Sequence, residues 1–312
     1  MSLDATVVTA AYLDHLTDRD LALLAAPLLD GGRREVTWTS GLRGSLLSRR
    51  GGIEDLLLER ELLEAVFTRD GGDPLLVGVS PFLVFAIAVH QAVRELRSAT
   101  YVSDWARSGR GTPVFDVAHL REFASAPWSR FFLAELLASY TRVASGSVVV
   151  ATARGLRRQR FSELDPVRMA SLLEIVPEPE RPGVFRRLGD LALFLTGVFP
   201  DYVARRGFGP LEESRLLRAG IAPKAALYDP GPPLRHDEAG HARGEGAVAL
   251  LEELGRHWYR ATWQLLPSPA PANTAALRDL ADHFDDARRV LSIVTERFLF
   301  MSRGQWFGLG AK

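Results

Sequence analysis

The 312-residue sequence contains no cysteine, and this absence excludes disulfides, thiol nucleophiles, iron–sulfur clusters and zinc held by cysteine. Lysine is nearly absent too, because every basic residue except Lys224 and Lys312 is an arginine. Neither lysine directly follows a glycine, as the lysine of a phosphate-binding P-loop must. Lys224 stands in an Ala-Pro-Lys segment typical of a turn or helix start. Neither a P-loop nucleotide nor a Schiff-base cofactor such as pyridoxal phosphate (PLP) is therefore expected.

Long hydrophobic runs are missing as well. The longest apolar stretch, residues 75–89, contains Ser80-Pro81 and is too short to cross a hydrocarbon layer of about 30 Å as one helix. It instead predicts a buried helix that begins at Pro81, with Ser80 as its N-cap. The first residues place no basic side chain ahead of an apolar stretch, as a secretory signal would. The sequence thus predicts no membrane span and a cytoplasmic location.

Helical periodicity dominates what remains. Acidic and basic residues balance at 38 each and 47% of the residues are hydrophobic, which is typical of a globular protein. Apolar residues recur at helical spacing over residues 52–68, 81–97, 117–123, 129–143, 167–175 and 184–199. We expect an all-α, bundle-like fold over residues 1–312, as one compact domain or as two lobes, 1–178 and 179–312. Segments 35–39 and 147–152 form at most a minor β-hairpin.

The C-terminal part predicts an antiparallel pair of helices. Hydrophobic residues follow alternating steps of three and four over residues 251–265, and again from 277 to 301. The proline-rich segment between them is short, so the second helix must fold back along the first. Residues should lie at equal height where their numbers sum to about 540, which places His257 opposite His283.

Four polar residues fall on adjoining flanks of this predicted hairpin, namely Glu253 and His257 on one helix and Asp279 and His283 on the other. Two carboxylates and two imidazoles suit a divalent metal, or an acid–base cluster with His257 and His283 as catalytic groups. The spacing departs from the Glu-x-x-His pattern of dinuclear carboxylate bundles. Ordinary pairing between residues four apart on a solvated helix face explains the same pattern.

Asp190 is a further catalytic candidate, because it lies within an apolar helical segment where burial raises the pKa of a carboxyl group. A structural role is simpler, since Arg186 and Arg187 lie one turn before it. Gly189 and Gly197 in the same segment predict close packing of a second helix. An Asp190 buried without an arginine partner would favour catalysis.

A basic run contains Arg154, Arg157, Arg158 and Arg160 with no acidic residue among them. Guanidinium groups suit phosphate, so this run is a candidate phosphate or nucleic-acid contact. The zero net charge of the chain disfavours nucleic acid as a partner, and nearby Glu163 and Asp165 favour a salt-bridged loop.

These features favour a non-catalytic cytoplasmic protein that binds a protein or small-molecule partner through an apolar surface or pocket. The alternatives are an enzyme with a metal or acid–base site on the C-terminal hairpin and, more weakly, a phosphate contact through the arginine run. The tail holds Phe300, Met301, Trp306 and Phe307, and must either pack on the protein or form a partner surface. Such a surface would also suit a homo-oligomer.

Overall fold

The computed structural model describes residues 3–25, 39–48, 52–67, 78–104, 112–152, 155–220, 244–266, 272–300 and 302–308. Over these residues the fold is mainly α-helical, as predicted. None of the helices described there is long and apolar enough to span a membrane. The helices are α1 (Leu3–His15), α2 (Asp18–Ala25), α3 (Thr39–Ser48), α4 (Glu54–Leu57), α5 (Arg60–Val66), α6 (Pro81–Leu96), α7 (Ala118–Ser125), α8 (Pro127–Ser139), α9 (Pro166–Ala170), α10 (Arg181–Val198), α11 (Pro200–Arg206), α12 (Pro210–Gly220), α13 (Glu245–Leu265), α14 (Ala272–Asp282), α15 (Phe284–Val294) and α16 (Arg303–Phe307). The strands are β1 (Val102–Asp104), β2 (Thr112–Val114), β3 (Ser145–Thr152) and β4 (Gly155–Ser162).

The chain forms two compact units, and neither is a continuous half of the sequence. The first unit contains Met1–Thr100, Asp116–Thr141 and Ile293–Lys312. The second contains Tyr101–Phe115 and Arg142–Ser292. The predicted boundary between residues 178 and 179 therefore falls inside the second unit.

The first unit is organised around the buried helix α6. As predicted, this helix begins at Pro81, and the Leu83 amide donates a hydrogen bond of 3.2 Å to the Ser80 hydroxyl. The main partner of α6 is α8. From the tail, Trp306 and Phe307 place their ring centroids 5.2 and 5.6 Å from that of Phe85. Trp306 and Phe307 thus belong to the core of this unit, whereas Phe300 is 63% exposed and Met301 lies outside the described residues.

The second unit is organised around the contact between α10 and α13. A Cβ added at Gly189 would lie 2.8 Å from the ring of Tyr259. One added at Gly197 would lie 2.8 Å from Leu291 on α15. The two glycines therefore permit the close packing that their positions in the sequence predict.

The antiparallel C-terminal hairpin is present with the predicted register. Helix α13 packs along α14, and the seam residues Leu277, Leu280, Phe284 and Leu291 are all buried. Three ion pairs join α13 to the returning segment, and the residue numbers rise along α13 as they fall along that segment. The pairs are Glu252 with Arg288, Arg256 with Asp285, and Arg260 with Asp282.

The returning segment is not one regular helix as predicted. It bends at His283, although the hydrogen-bond ladder continues there, from the His283 amide to the Asp279 carbonyl at 2.8 Å and from the Ala287 amide to the His283 carbonyl at 3.0 Å. A π-helical turn follows at Thr295–Leu299. The predicted helix over residues 52–68 is likewise divided, into α4 and α5.

The β-structure differs from the prediction in its pairing. Segment 147–152 belongs to β3, but its partner is β4, which carries the arginine run. Residues 35–38 lie outside the described residues, and Thr39 begins α3. Strands β1 and β2 form a second antiparallel pair that the sequence did not indicate.

Candidate functional site

The four hairpin residues predicted to bind a metal are not brought together as a ligand set. Glu253 accepts a hydrogen bond of 3.2 Å from Arg256, one turn further along the same helix. His283 places Nδ1 3.3 Å from Oδ2 of Asp286, and Asp279 is exposed. In the part of the chain that the structure describes, no three histidine or acidic side chains are grouped so that they could hold a metal ion.

His257 is half-buried on α13. Burial lowers the pKa of its imidazole, and the positive charge of Arg260 lowers it further, against an opposite effect of Glu253. Burial therefore favours the neutral form of this imidazole. A neutral imidazole is able to act as a base, but the neighbouring carboxylate, Glu253, is engaged by Arg256.

Asp190 is buried on α10 and has both an arginine and a tyrosine as partners. Its Oδ1 accepts a hydrogen bond of 3.0 Å from the Tyr259 hydroxyl, and its Oδ2 lies 3.9 Å from Nε of Arg186. Because Asp190 has an arginine partner, the structural role is favoured over the catalytic one. We read Asp190 as a polar contact that fixes α10 against α13.

A buried ionic cluster in the second unit joins residues far apart in the sequence. Arg288, which is 0% exposed, donates two hydrogen bonds to Asp104, at 3.0 and 2.7 Å. Its Nε lies 2.7 Å from Glu252, as an ion pair without an aligned hydrogen bond. Burial acts to lower the pKa of Arg288, but Asp104 and Glu252 outweigh it and raise the pKa. The guanidinium stays charged and ties β1, α13 and α15 together.

A second buried cluster lies in the first unit, around Glu54 on α4. Arg130 Nη2 donates to both carboxylate oxygens of Glu54, at 2.8 and 2.7 Å, while its Nη1 donates to the carbonyls of residues 124 and 125. His90 donates from Nδ1 to the Ala86 carbonyl at 2.8 Å and places Nε2 3.7 Å from Glu54. Tyr12 is fully buried, with its ring centroid 5.8 Å from that of His90.

The electrostatics of this cluster favour a charged Glu54 beside a neutral phenol. Burial alone would raise the pKa of Glu54, but its interaction with His90, 3.7 Å away, and the charge of Arg130 outweigh this effect and lower the pKa. Burial, followed by the charge of Glu54, raises the pKa of Tyr12 well above its ordinary value. An imidazole beside a carboxylate is suited to proton transfer. Tyr12 and His90 are nevertheless buried, so a substrate has no direct approach to either ring.

Sequence reasoning missed both clusters, because their members meet only through the tertiary fold. Glu54 and Arg130 are 76 residues apart, and Asp104 and Arg288 are 184 apart. The one available signal was His90, a polar residue within the most apolar helix of the chain. That signal indicates burial but does not identify a partner.

The arginine run forms one strand of a two-stranded ribbon, β3–β4. The strands pair over their full length, from Ser145 opposite Ser162 to Thr152 opposite Gly155. At about 3.4 Å per residue, eight residues give a length of about 27 Å. Among the described residues no further strand pairs with either edge, and the main contact outside the ribbon is with α9, which follows it in the chain.

The ribbon exposes an apolar and a basic side chain side by side. Val149 is 65% exposed and lies opposite Arg158, which is also exposed. Arg158 donates from Nε to the Ser147 hydroxyl at 2.5 Å, across the two strands. Arg154 lies outside the described residues, and for Arg157 and Arg160 the structure describes the backbone alone, opposite Val150 and Ser147.

The two acidic residues that follow the run, Glu163 and Asp165, contact groups outside the ribbon. Glu163 accepts a hydrogen bond from the Ala144 amide at 2.8 Å and pairs with Arg187 of α10 at 3.4 Å. Asp165 caps α9 by accepting from the amides of residues 167 and 168. No acidic side chain in the described part of the chain pairs with Arg158. Residues 142–162 hold five arginines and no acidic residue.

Comparison with known proteins adds no relative from which a role could be transferred. The chain matches no protein-family model, no curated protein and no solved structure.

Proposed function

We propose that this chain is a non-catalytic, cytoplasmic binding protein whose contact surface is the β3–β4 ribbon. One observation carries the proposal: a long two-stranded ribbon, paired at its edges with no other described strand, on which exposed Val149 adjoins exposed Arg158. An isolated two-stranded ribbon is only marginally stable, and strand edges without a partner can pair with other chains. A ribbon of this kind is therefore expected to have a function. Contact with a partner supplies one. The lack of cysteine fits a reducing compartment such as the cytoplasm.

The enzyme alternative has weaker support. On the hairpin, Glu253 is paired with Arg256 and no ligand set is assembled from the described residues. In the first unit, the Glu54 cluster is locked by Arg130 and is closed to a substrate on the side of Tyr12 and His90. Both arrangements are those of structural ion pairs.

Site-specific photo-crosslinking in living cells tests the proposal. A photoreactive phenylalanine analogue is placed at Val149 and, in a matched control, at Leu211 of α12, which is 77% exposed and equally apolar. Position 149 should give discrete crosslinked products that are absent at position 211. Equal products at both positions, or none at 149, would overturn the ribbon as the contact surface.

A shortened ribbon provides a second readout. Residues 148–159 are replaced by a two-residue Asn-Gly turn, which preserves the paired base of the ribbon. Because the ribbon's main outside contact is with α9 near that base, the thermal unfolding midpoint should change little. A crosslinker placed at the new turn should then give none of the products seen at position 149.

A further inference from the structure

We infer that the partner of the ribbon is duplex DNA. The ribbon would lie in the major groove, and its arginines would contact the phosphates that border the groove. This inference rests on the proposed function, because it names the partner of the same surface. The observations that carry it are the five arginines of a segment without acidic residues, the exposure of Arg158 and the dimensions of the ribbon.

Charge complementarity is the first step. The whole chain has zero formal net charge, yet residues 142–162 hold five arginines and no acidic residue. The two acids that follow, Glu163 and Asp165, are engaged at α10 and α9. Duplex DNA presents one negative charge per about 1.7 Å of its axis, so a concentrated basic segment gains from displaced counterions even on a neutral protein.

The residue type and the shape of the ribbon agree with this partner. Planar guanidinium groups bind phosphate oxygens through paired hydrogen bonds, and they also bind the major-groove edge of guanine. A two-stranded β-ribbon fits the major groove, which is about 12 Å wide. A ribbon about 27 Å long extends along about eight base pairs of 3.4 Å each. Exposed Val149 beside Arg158 would supply an apolar contact to a thymine methyl group.

The same geometry disfavours duplex RNA. The major groove of A-form RNA is deep and too narrow for side chains to read, so the ribbon would not enter it. An RNA duplex of the same length therefore serves as a matched competitor that carries a similar charge but a different groove. An acidic protein surface is the remaining partner class, and the crosslinking experiment distinguishes it from DNA.

Fluorescence anisotropy with the full chain and a labelled 20-base-pair DNA duplex tests the inference. If three to five phosphates are neutralised, the affinity should fall about 40- to 500-fold between 50 and 200 mM salt, at a slope of about 0.9 per phosphate. Arg158→Gln should reduce that slope by about one phosphate, Arg158→Lys should keep it, and Arg158→Glu should weaken binding further. The RNA duplex should bind more weakly than the DNA.

The control is Arg215→Gln on α12, because Arg215 is exposed and belongs to the same unit. The inference is wrong if no DNA binding is seen at 50 mM salt, or if Arg158→Gln and Arg215→Gln weaken it equally. Nuclease-sensitive crosslinks at position 149 support both proposals. Crosslinks to protein alone keep the ribbon as the contact surface and overturn DNA as its partner. Absence of any crosslink at 149 removes the proposed function itself.

Discussion

Replacement of Arg288 by methionine is the sharpest test of how the second unit is held together. The guanidinium is 0% exposed and contacts two carboxylates that are themselves 3% and 8% exposed, Asp104 and Glu252. Removal of one member of a buried ion pair costs about 3–5 kcal/mol, because the other member stays buried without its counter-charge. Arg289, with Nε 3.3 Å from Asp104, retains part of the compensation. We therefore expect a loss near the lower end, about 3 kcal/mol.

Urea unfolding followed by tryptophan fluorescence measures this loss, since Trp258 is buried on α13 in the same unit. The pH dependence supplies a second readout. Without the arginine, burial raises the pKa of the two carboxyl groups in the folded state. A raised folded pKa favours the folded state at low pH, so the cost of Arg288→Met should shrink as the pH falls from 7 to 5.

A triple variant, Arg288→Met with Asp104→Leu and Glu252→Leu, separates loss of packing from uncompensated charge. An apolar replacement of a whole buried ion cluster is often close to neutral, so this variant should recover most of the lost stability. A cost below about 1 kcal/mol for the single variant, with no dependence on pH, would refute the reasoning.

Two further predictions concern packing and charge. Gly255→Ala should destabilise the fold by about 1–3 kcal/mol, because the added Cβ would lie 2.5 Å from the ring of Phe284. The control is Gly183→Ala, which has open space around the added Cβ and should stabilise the fold by up to about 1 kcal/mol. Similar effects of the two variants on urea unfolding would contradict the close packing of α13. Glu54→Gln should cost about 1–3 kcal/mol at pH 7 through its contact with Arg130. Because the folded pKa of Glu54 is lowered from its ordinary 4.5, its ionic contribution is present above that value and is lost as the pH falls through the folded pKa. The difference between wild type and variant should therefore narrow in acid, and a constant difference between pH 7 and 3 would exclude this explanation.

Much of the fold follows from local rules that the sequence displays directly. Ser80 before Pro81 fixes the start of α6, since the cap and the proline each act within one turn. The register of the C-terminal hairpin follows from the short connection, because a short loop leaves little freedom in how far the second helix slides along the first. Gly189 and Gly197 indicated the close approach of a neighbour for the same reason: the missing side chain has a local geometric effect.

The features that were missed depend on which distant segments meet. Periodicity shows that a segment is helical, but it does not reveal that Arg130 reaches Glu54 or that Arg288 reaches Asp104. The partner of β3 was also missed, because the strand that pairs with it carries charged residues where an alternation of apolar and polar residues was sought. The bend at His283 leaves the backbone hydrogen bonds of the helix intact, so the spacing of the hydrophobic residues is the same on both sides of it. The sequence pattern therefore did not indicate the bend.

The abundance of arginine has two consequences, one for the carboxylates of the C-terminal hairpin and one for the ribbon. Acidic and basic residues are equal in number and nearly all the basic ones are arginine, so several helical carboxylates pair with a guanidinium group. Glu253 and Asp285 both pair with Arg256, so a metal would have to compete with this guanidinium for the two carboxylates. The reverse holds where acids are lacking. Along residues 142–162 no carboxylate is available within the segment, and Arg158 remains exposed with a hydroxyl as its hydrogen-bond partner. A net charge of zero is therefore compatible with a segment that holds five arginines and no acidic residue, and this segment is the one that we propose as the contact for an anionic partner.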